Sequence, residues 1–590
     1  MPSEPPLKFC ADHGGHFPQL PNDAVLGIQV GSQWPSDPRL AVAKARQLRH
    51  RPDSVADRVI AMRPAIDTLL LALALNALLA LAASDIAAQT PKRGGTLNFA
   101  VVASPPSYDC HAETTFGLIH PVTPHYSLLL KIDASKYPSV AGDLAERWTT
   151  TPDGLLYTFM LHKGVKFHDG SPLTSADVKA TYERIIRPPA GVISVRRSYY
   201  EEFGEIETPD ERTVVFKMKG PVAGVLELLA SPFNCIYSAA RLKSSTNYPA
   251  REIMGSGAFE FVEHVQGSHW VGKRFEGYFK PGRPYLDGFK AYFVKSTAVI
   301  PGLLGGQFDA EFRFRTPPER DLLVEKLGDK VLVYDQPLLG GNIFIFNTRR
   351  KPFDDIRVRQ ALTLAVDRWT GGENIGKISS LRYVGGVNRP GSIMALPEAE
   401  LAKLPGYWKD AEKSRAEARR LLKEAGQESL AFKFLNRSGI ESYTTGGVYA
   451  VDQWRRIGVK ATHEQFETKL YQENLATGNF DVGMEFISDY LDDPTQNFVK
   501  FLSKKLTPLG YSGHDDTKID DLYEKQRRTL DPVERTKIVR QLDSYVMTTA
   551  YSVPFLWSQR IVVMPKTVVG WHMTPTHYLS QDLVDVWLDR

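Results

Sequence analysis

The chain has 590 residues, 43% apolar, 24% charged and 11% aromatic, with 45 Gly and 39 Pro; this excludes collagen-like, disulfide-scaffold and wholly disordered proteins, and the length calls for more than one hydrophobic core. Seventy-two basic against 68 acidic residues leave a net charge of +4, too mild for a nucleic-acid binder. Three cysteines, Cys10, Cys110 and Cys235, include no C-x-x-C pair, which removes a thiolate zinc knuckle and allows at most one intrachain bridge.

In chain order, residues 1–61 are rich in Pro, Gly and His without sustained periodicity, and read as a disordered extension or as sequence ahead of a true start at Met62. Residues 62–90 hold Arg63, an apolar run from Ala65 to Ala83 and small residues from Ser84 to Ala88, the pattern of a secretory signal peptide. The run is just long enough for an uncleaved membrane anchor, but Asp67 and Asn76 inside it and the small residues after it favour cleavage. No cysteine follows to carry a lipid, so the expectation is a soluble exported protein, periplasmic in bacteria. Thr96–Val102 reads as a strand entering a Ser104-Pro-Pro-Ser loop, and Tyr157–Leu161 and Val214–Met218 read as further strands. Thr174 and Asp177 form a capping box ahead of Val178, Tyr182 and Ile185 on one helical face. Asp354-Asp355 precede Val358, Ala361, Leu362 and Ala365 at helical spacing, and Ala411–Ala425 reads as a helix stopped by Gly426. Strands mixed with helices over some 500 residues predict an α/β or α+β protein of two or three lobes.

Chemical motifs are near-misses. Gly371–Lys377 begins like a phosphate loop, but Ile378 replaces the magnesium-holding hydroxyl, leaving a glycine-rich surface loop. His463-Glu464 lacks the second histidine of a zinc protease helix, leaving an exposed polar segment. Gly255-Ser256-Gly257 has the wrong spacing for a hydrolase elbow and reads as a tight turn into a strand at Phe259–Val262. The acidic run Asp489–Pro494 lacks the alternating ligands of a calcium loop. No cofactor, resident metal or catalytic residue is assigned.

Longer runs carry a resemblance. Asp143-Leu-Ala-Glu-Arg-Trp148 leads through Asp153-Gly154 and Tyr157-Thr-Phe159 to Lys163-Gly-Val-Lys-Phe-His-Asp-Gly170-Ser-Pro-Leu-Thr174. This resembles the signature of the extracytoplasmic solute-binding proteins of family 5, the peptide/nickel class serving ABC importers. Gly94-Gly-Thr-Leu, Gly255–Phe259, Tyr285-Leu-Asp287, Phe344–Asn347, Pro352–Leu362 and Ala418–Gly426 follow in that family's order, so the likeness covers roughly residues 93–590. It implies an α/β, two-lobed Venus-flytrap fold of the type II periplasmic binding proteins. Lobe I would combine 91–115, 250–335 and 558–590 with an extra subdomain at 116–249, and lobe II would be 336–557. It also implies a monomer that captures a peptide or similar small polar solute and delivers it to an inner-membrane permease with its ATPase subunits. A nickel chelate, glycoside or opine is the alternative cargo, and an exported hydrolase a distant one, unsupported by any nucleophile–base pair.

The resemblance also points to ligand contacts. Relatives hold the ligand's amino group with an aspartate in an acidic segment matching Asp489-Tyr490-Leu-Asp492-Asp493-Pro494, which makes Asp489 the first choice, with Asp492 and Asp493 as rivals and Tyr490 beside them. Arg437, seventeen positions before Trp454, matches the arginine that takes the ligand carboxylate in dipeptide binders. Asn347 and the Ser104–His111 loop are expected near the cleft or hinge. Whether Cys110 and Cys235 pair stays open at this point.

Overall fold

Leu97, Phe99 and Val101 are fully buried on the first strand, so the core begins almost where the computed structural model does: it describes residues 90–487 and 490–590. The expected extension, the signal segment and Asp489 lie outside the described residues. Among those described, no helix is long and apolar enough to cross a membrane.

The strands of the first half are Thr96–Val101 (β1), Leu130–Ile132 (β2), Val140–Gly142 (β3), Ala145–Thr150 (β4), Leu156–Leu161 (β5), Phe203–Glu207 (β6), Thr213–Met218 (β7), Phe259–Val265 (β8), His269–Arg274 (β9) and Gly288–Phe293 (β10). They build one sheet of order β1-β10-β9-β8, another of order β4-β5-β7-β6, and the β2–β3 pair. Alternation explains the second sheet: Tyr157, Phe159 and Leu161 on β5 and Val214, Phe216 and Met218 on β7 turn inward. They meet helix Ser175–Ile186, whose Tyr182 ring lies 5.1 Å from Phe216. That helix starts with the expected box, the Thr174 N–H donating to Asp177 at 2.7 Å.

The second half contributes Val331–Phe346 (β11), Leu381–Tyr383 (β12), Ala431–Arg437 (β13), Lys460–Phe466 (β14), Val482–Ile487 (β15) and Ser552–Pro565 (β16), in one sheet of order β12-β16-β11-β15-β13-β14. Its helices begin as the sequence indicates, with Asp355 capping Ile356–Leu364 and Asp410 capping Ala411–Glu424.

Two cores result. One joins β1 through Phe312 to residues 562–588, and the other runs from Leu339 to Trp557. This is the expected two-lobed α/β fold, and β11 and β16 tie its halves. They pair antiparallel from Val331↔Pro565 to Ile345↔Ser552, with the register broken between Pro337 and Gly341. Val331 and Ile561 sit in a small cluster on the first side, whereas Phe344 and Phe555 sit in the second core. A broken ladder between two cores is where a crossing pair bends most easily.

Three local readings are corrected. Gly371 and Gly372 are buried in a short helix, Thr370–Ile375, where a Cβ on Gly371 would collide with the Tyr449 hydroxyl. His463 lies on β14, its ring stacked 5.6 Å from Phe434. Gly257 is small because a Cβ there would collide with the backbone of His125 and Tyr126; close approach, not a turn, sets the residue.

Candidate ligand-binding cleft

Strands β13, β14 and β15 run parallel and end on one edge of the second sheet, with Arg437 level with Phe466 and Leu435 level with Gly483. Ile487, the last residue of β15, pairs with Gly341 beside the broken register of the crossing strands. Arg437 and Ile487 therefore reach the same edge, next to the broken register of the crossing strands. Strand ends of this kind form crevices in α/β sheets.

From that edge the chain leaves the second core. Tyr490 and Leu491 are buried in the first core, the Tyr490 ring 5.0 Å from Phe233 and 6.4 Å from Tyr578. The Arg196 guanidinium lies 3.6 Å from the centroid of Phe233 and 5.3 Å from that of Tyr490, close enough for cation–π attraction. Arg196 also donates to the carbonyls of Cys110, at 3.2 Å, and Glu113, at 2.5 Å. Cys110 and Cys235 are bridged, Cα atoms 6.1 Å apart, which settles the pairing the sequence left open and fixes the loop after β1 to the strip carrying Phe233.

The expected contacts separate. Arg437 is half-buried and donates from Nε to the Thr468 hydroxyl at 3.0 Å; among the described residues no carboxylate pairs with it. Behind it, Tyr471 donates to the Met484 carbonyl at 2.6 Å and to Glu485, whose carboxylate also takes the Lys500 ammonium at 2.8 Å. Tyr443, packed against Tyr471, is held protonated by burial and then by Glu485. This buried set stiffens the strand end that presents Arg437.

Asp492 and Asp493 have other partners. Asp492 takes Arg389 at 2.7 Å and the Tyr137 hydroxyl at 3.1 Å; burial, then the charge of Asp492, raises the Tyr137 pKa, so the phenol stays a donor. Asp493 takes both prongs of Arg535, each at 2.9 Å, and caps the turn at Thr495. Asn347 is a correction: it follows Phe346, which pairs with Val482 at the start of β15, so it lies at the far end of the sheet from Ile487. Its amide donates to the carbonyls of Gly478 and Phe480 at 3.0 and 2.9 Å, a clamp within the second lobe.

Further contacts run between the halves. Glu202 meets Arg528 at 2.5 Å and Arg527 at 3.4 Å, and the Ala223 N–H donates to the Arg527 carbonyl at 2.8 Å. The Arg528 hydrogen bond holds Glu202 below the ordinary carboxylate range. Sequence reasoning missed Arg196, Phe233 and Tyr578, because residues so far apart in the chain carry no local pattern; the nearest signal was Cys235, two positions after Phe233.

The pattern of the bacterial extracellular solute-binding proteins, family 5 (middle region), matches residues 139–507. The glutathione-binding protein GsiB of Escherichia coli K12 is 25% identical over 455 residues, covering 74% of this chain and 85% of that protein. Among solved structures, AgaA from A. tumefaciens R10 in complex with agropinic acid is similar at 24% identity and TM-score 0.69, covering 84% of this chain and 99% of that one. CtaP from Listeria monocytogenes gives 20% identity and TM-score 0.73, covering 85% and 100%. DppA from Helicobacter pylori in complex with the peptide STSA gives 22% and 0.69, covering 85% and 99%. These likenesses show the fold.

Proposed function

The chain belongs to the bacterial extracellular solute-binding proteins of family 5, and on that premise we propose that its lobes close over a peptide or a peptide-like small polar solute. It is the binding component of an ABC importer, a carrier that leaves its cargo chemically unchanged. In this reading the mature chain works as a periplasmic monomer, exported by the segment 62–90, and hands its cargo to a permease with ATPase subunits. Lobe I comprises 91–115, 250–335 and 558–590 with the subdomain 116–249, and lobe II comprises 336–557.

The observation that carries the proposal is the half-buried Arg437 fork on the sheet edge from which the chain crosses to the other lobe. A planar guanidinium suits two-pronged recognition of a carboxylate, and closure needs such a partner, because an unpaired buried charge costs several kcal/mol. Glutathione, named for GsiB, and peptides such as the one bound by DppA carry that group. Asp489, two residues beyond β15, is assigned the amino end. Tyr490, between Phe233 and Tyr578, forms an aromatic wall, while Asp492, through Tyr137, joins the halves rather than the cargo.

Cargo shifts the open–closed balance only by its extra affinity for the closed form; moving from 1:99 to 99:1 takes about 5.5 kcal/mol. A thermal-shift screen of di- to pentapeptides, glutathione, opines, sugars and nickel chelates tests the reading, since stabilisation follows RT ln(1 + [L]/Kd). Peptides or glutathione are expected to raise the melting temperature. Stabilisation by another class alone would reassign the cargo, and turnover of any of them would overturn the carrier role. Asp489→Asn is expected to weaken free-amine peptides far more than N-acetylated ones; an equal loss would remove Asp489 from that role.

A further inference from the structure

The aromatic wall on the first core does not stop at Tyr578. The Tyr578 ring is stacked 4.3 Å from His577, the His577 ring lies 5.7 Å from Phe116, and the Arg313 guanidinium lies 4.5 Å from the centroid of Phe116. The Tyr578 hydroxyl donates to the Thr114 carbonyl at 3.3 Å, tying the segment before Phe116 to this strip. Phe116 and Tyr578 are only partly buried against the first core, so the strip keeps an open face. Arg313 ends it beside the crossing strands. The Arg313 carbonyl accepts from Nε of Arg560 at 2.8 Å, and the Arg315 N–H donates to the Ile561 carbonyl at 2.6 Å. Arg560 in turn pairs with Gln336, next to the broken register.

Positive charge is in excess there. Glu311, 1% exposed, takes Nε of Arg313 at 2.8 Å and also pairs with Arg315, which stands 3.8 Å from Glu319. Arg560 is fully buried and, among the described residues, donates only to the carbonyls of Phe312, Arg313, Thr574 and Thr576. Burial lowers Arg560 to about 9, still charged at neutral pH. Burial also keeps His120, lowered to about 3, and His577 neutral. Three guanidiniums thus face two carboxylates. Arg313 is the member that can answer a ligand. Its side chain is 19% exposed, its Nε is used on Glu311, and one face of its plane lies against Phe116. Its two terminal nitrogens donate to no described residue and, unlike the buried Nε of Arg315, reach solvent. The free end of such a fork suits two-pronged carboxylate recognition.

We propose, resting on the cleft reading above, that Arg313 sets specificity by taking a second carboxylate on the cargo, so that the preferred cargo is a peptide with an acidic group besides its C-terminus. Closure strips water from the guanidinium, and a buried charge left unpaired is costly. Arg437 on the second sheet and Arg313 on the first core then hold one carboxylate each. A cargo carrying both gains extra affinity for the closed form, the quantity that shifts the open–closed balance.

The test is calorimetry on the purified full chain with alanine tetrapeptides in which one of the first three residues is replaced by Glu or by Gln, side chains alike in size and different in charge. At one position or more, the Glu peptide is expected to bind wild type about tenfold more tightly than its Gln partner. Arg313→Gln is expected to erase that preference and to keep the preference for a free C-terminal acid over its amide. Should that variant not fold, Arg313→Lys, which keeps the charge beside Glu311 and loses the fork, is expected to cut the preference at least about threefold. Glu and Gln peptides that bind within about twofold of each other at all three positions would overturn the proposal while the cleft reading stands. So would a preference that persists in folded Arg313→Gln, one unchanged in Arg313→Lys, or loss of the C-terminal preference in Arg313→Gln as well. If no peptide of either series binds, the cleft reading falls and the proposal falls with it.

Discussion

The charges beneath the first wall of the cleft and the charges that cross between the halves are built to different standards. Beneath the wall, Arg184 grips Asp109 with two bonds, at 3.1 and 2.6 Å, and both side chains are at most 4% exposed. Burial works to raise Asp109, but the Arg184 guanidinium, by hydrogen bond and charge, and the His111 backbone N–H hold it below its ordinary range, while burial lowers the neighbouring His111 imidazole to about 3, so it stays neutral. Across the halves, Glu202 and Arg528 are 20% and 39% exposed. Buried pairs resist loss of a partner strongly, whereas exposed pairs are screened and contribute about 0–1 kcal/mol. The buried pair thus fixes its lobe firmly, whereas the exposed Glu202–Arg528 pair adds little; the Tyr137–Asp492–Arg389 contact, with Asp492 6% exposed, crosses between the halves as a buried one.

That contrast can be broken most forcefully at the wall. Arg184→Met leaves Asp109 buried without its partner and is expected to lower unfolding stability by about 3–5 kcal/mol, read by urea titration; a loss below 1 kcal/mol would mean the wall is no firmer than the crossing pairs. Replacing Cys110 and Cys235 by serine opens a closure spanning 125 residues and is expected to cost about 2–4 kcal/mol, measured against the wild type under non-reducing conditions. An unchanged midpoint would show that the wall does not depend on the bridge.

The second lobe offers a pH test of the same rule. Asp543 is fully buried, and burial raises it from 3.8 to about 6 despite hydrogen bonds from Val387 and Asn388. The folded form therefore holds its proton more tightly than the unfolded form. That contribution is complete below pH ~4 and is lost as pH rises through ~6, about 3 kcal/mol in all. Asp543→Asn should gain on the wild type by that order between pH 4 and 7 in paired denaturation curves; parallel curves would refute the shift. The smallest effect belongs to the crossing pair. Glu202→Gln is expected to leave unfolding within about 0.5 kcal/mol and to weaken cargo binding no more than a few-fold, a difference that high salt erases. A salt-independent loss would make the crossing contacts a true lock.

Much of the fold was legible because its cues are local. The Thr174 box, the Asp355 and Asp410 caps and the alternation on β5 and β7 each lie within a dozen residues, and the ordered family runs supplied the architecture. The site was less legible. Arg437 was singled out by its distance from Trp454, and nothing in the acidic run reveals that Asp492 is held by Arg389, 103 positions away. Asn347 follows a matching run, but only the pairing of Phe346 with Val482 reveals which end of the sheet it occupies. The Phe233–Tyr490–Tyr578 wall draws on three distant segments, and the crossing of β11 and β16 leaves no composition break.

The most direct test of the clamp is calorimetry of the tightest-binding peptide as its free acid and as its C-terminal amide, on wild type and Arg437→Gln. The account predicts at least a tenfold preference for the acid in the wild type, about 1.4 kcal/mol, and none in the variant. A preference that persists without the Arg437 guanidinium would contradict it.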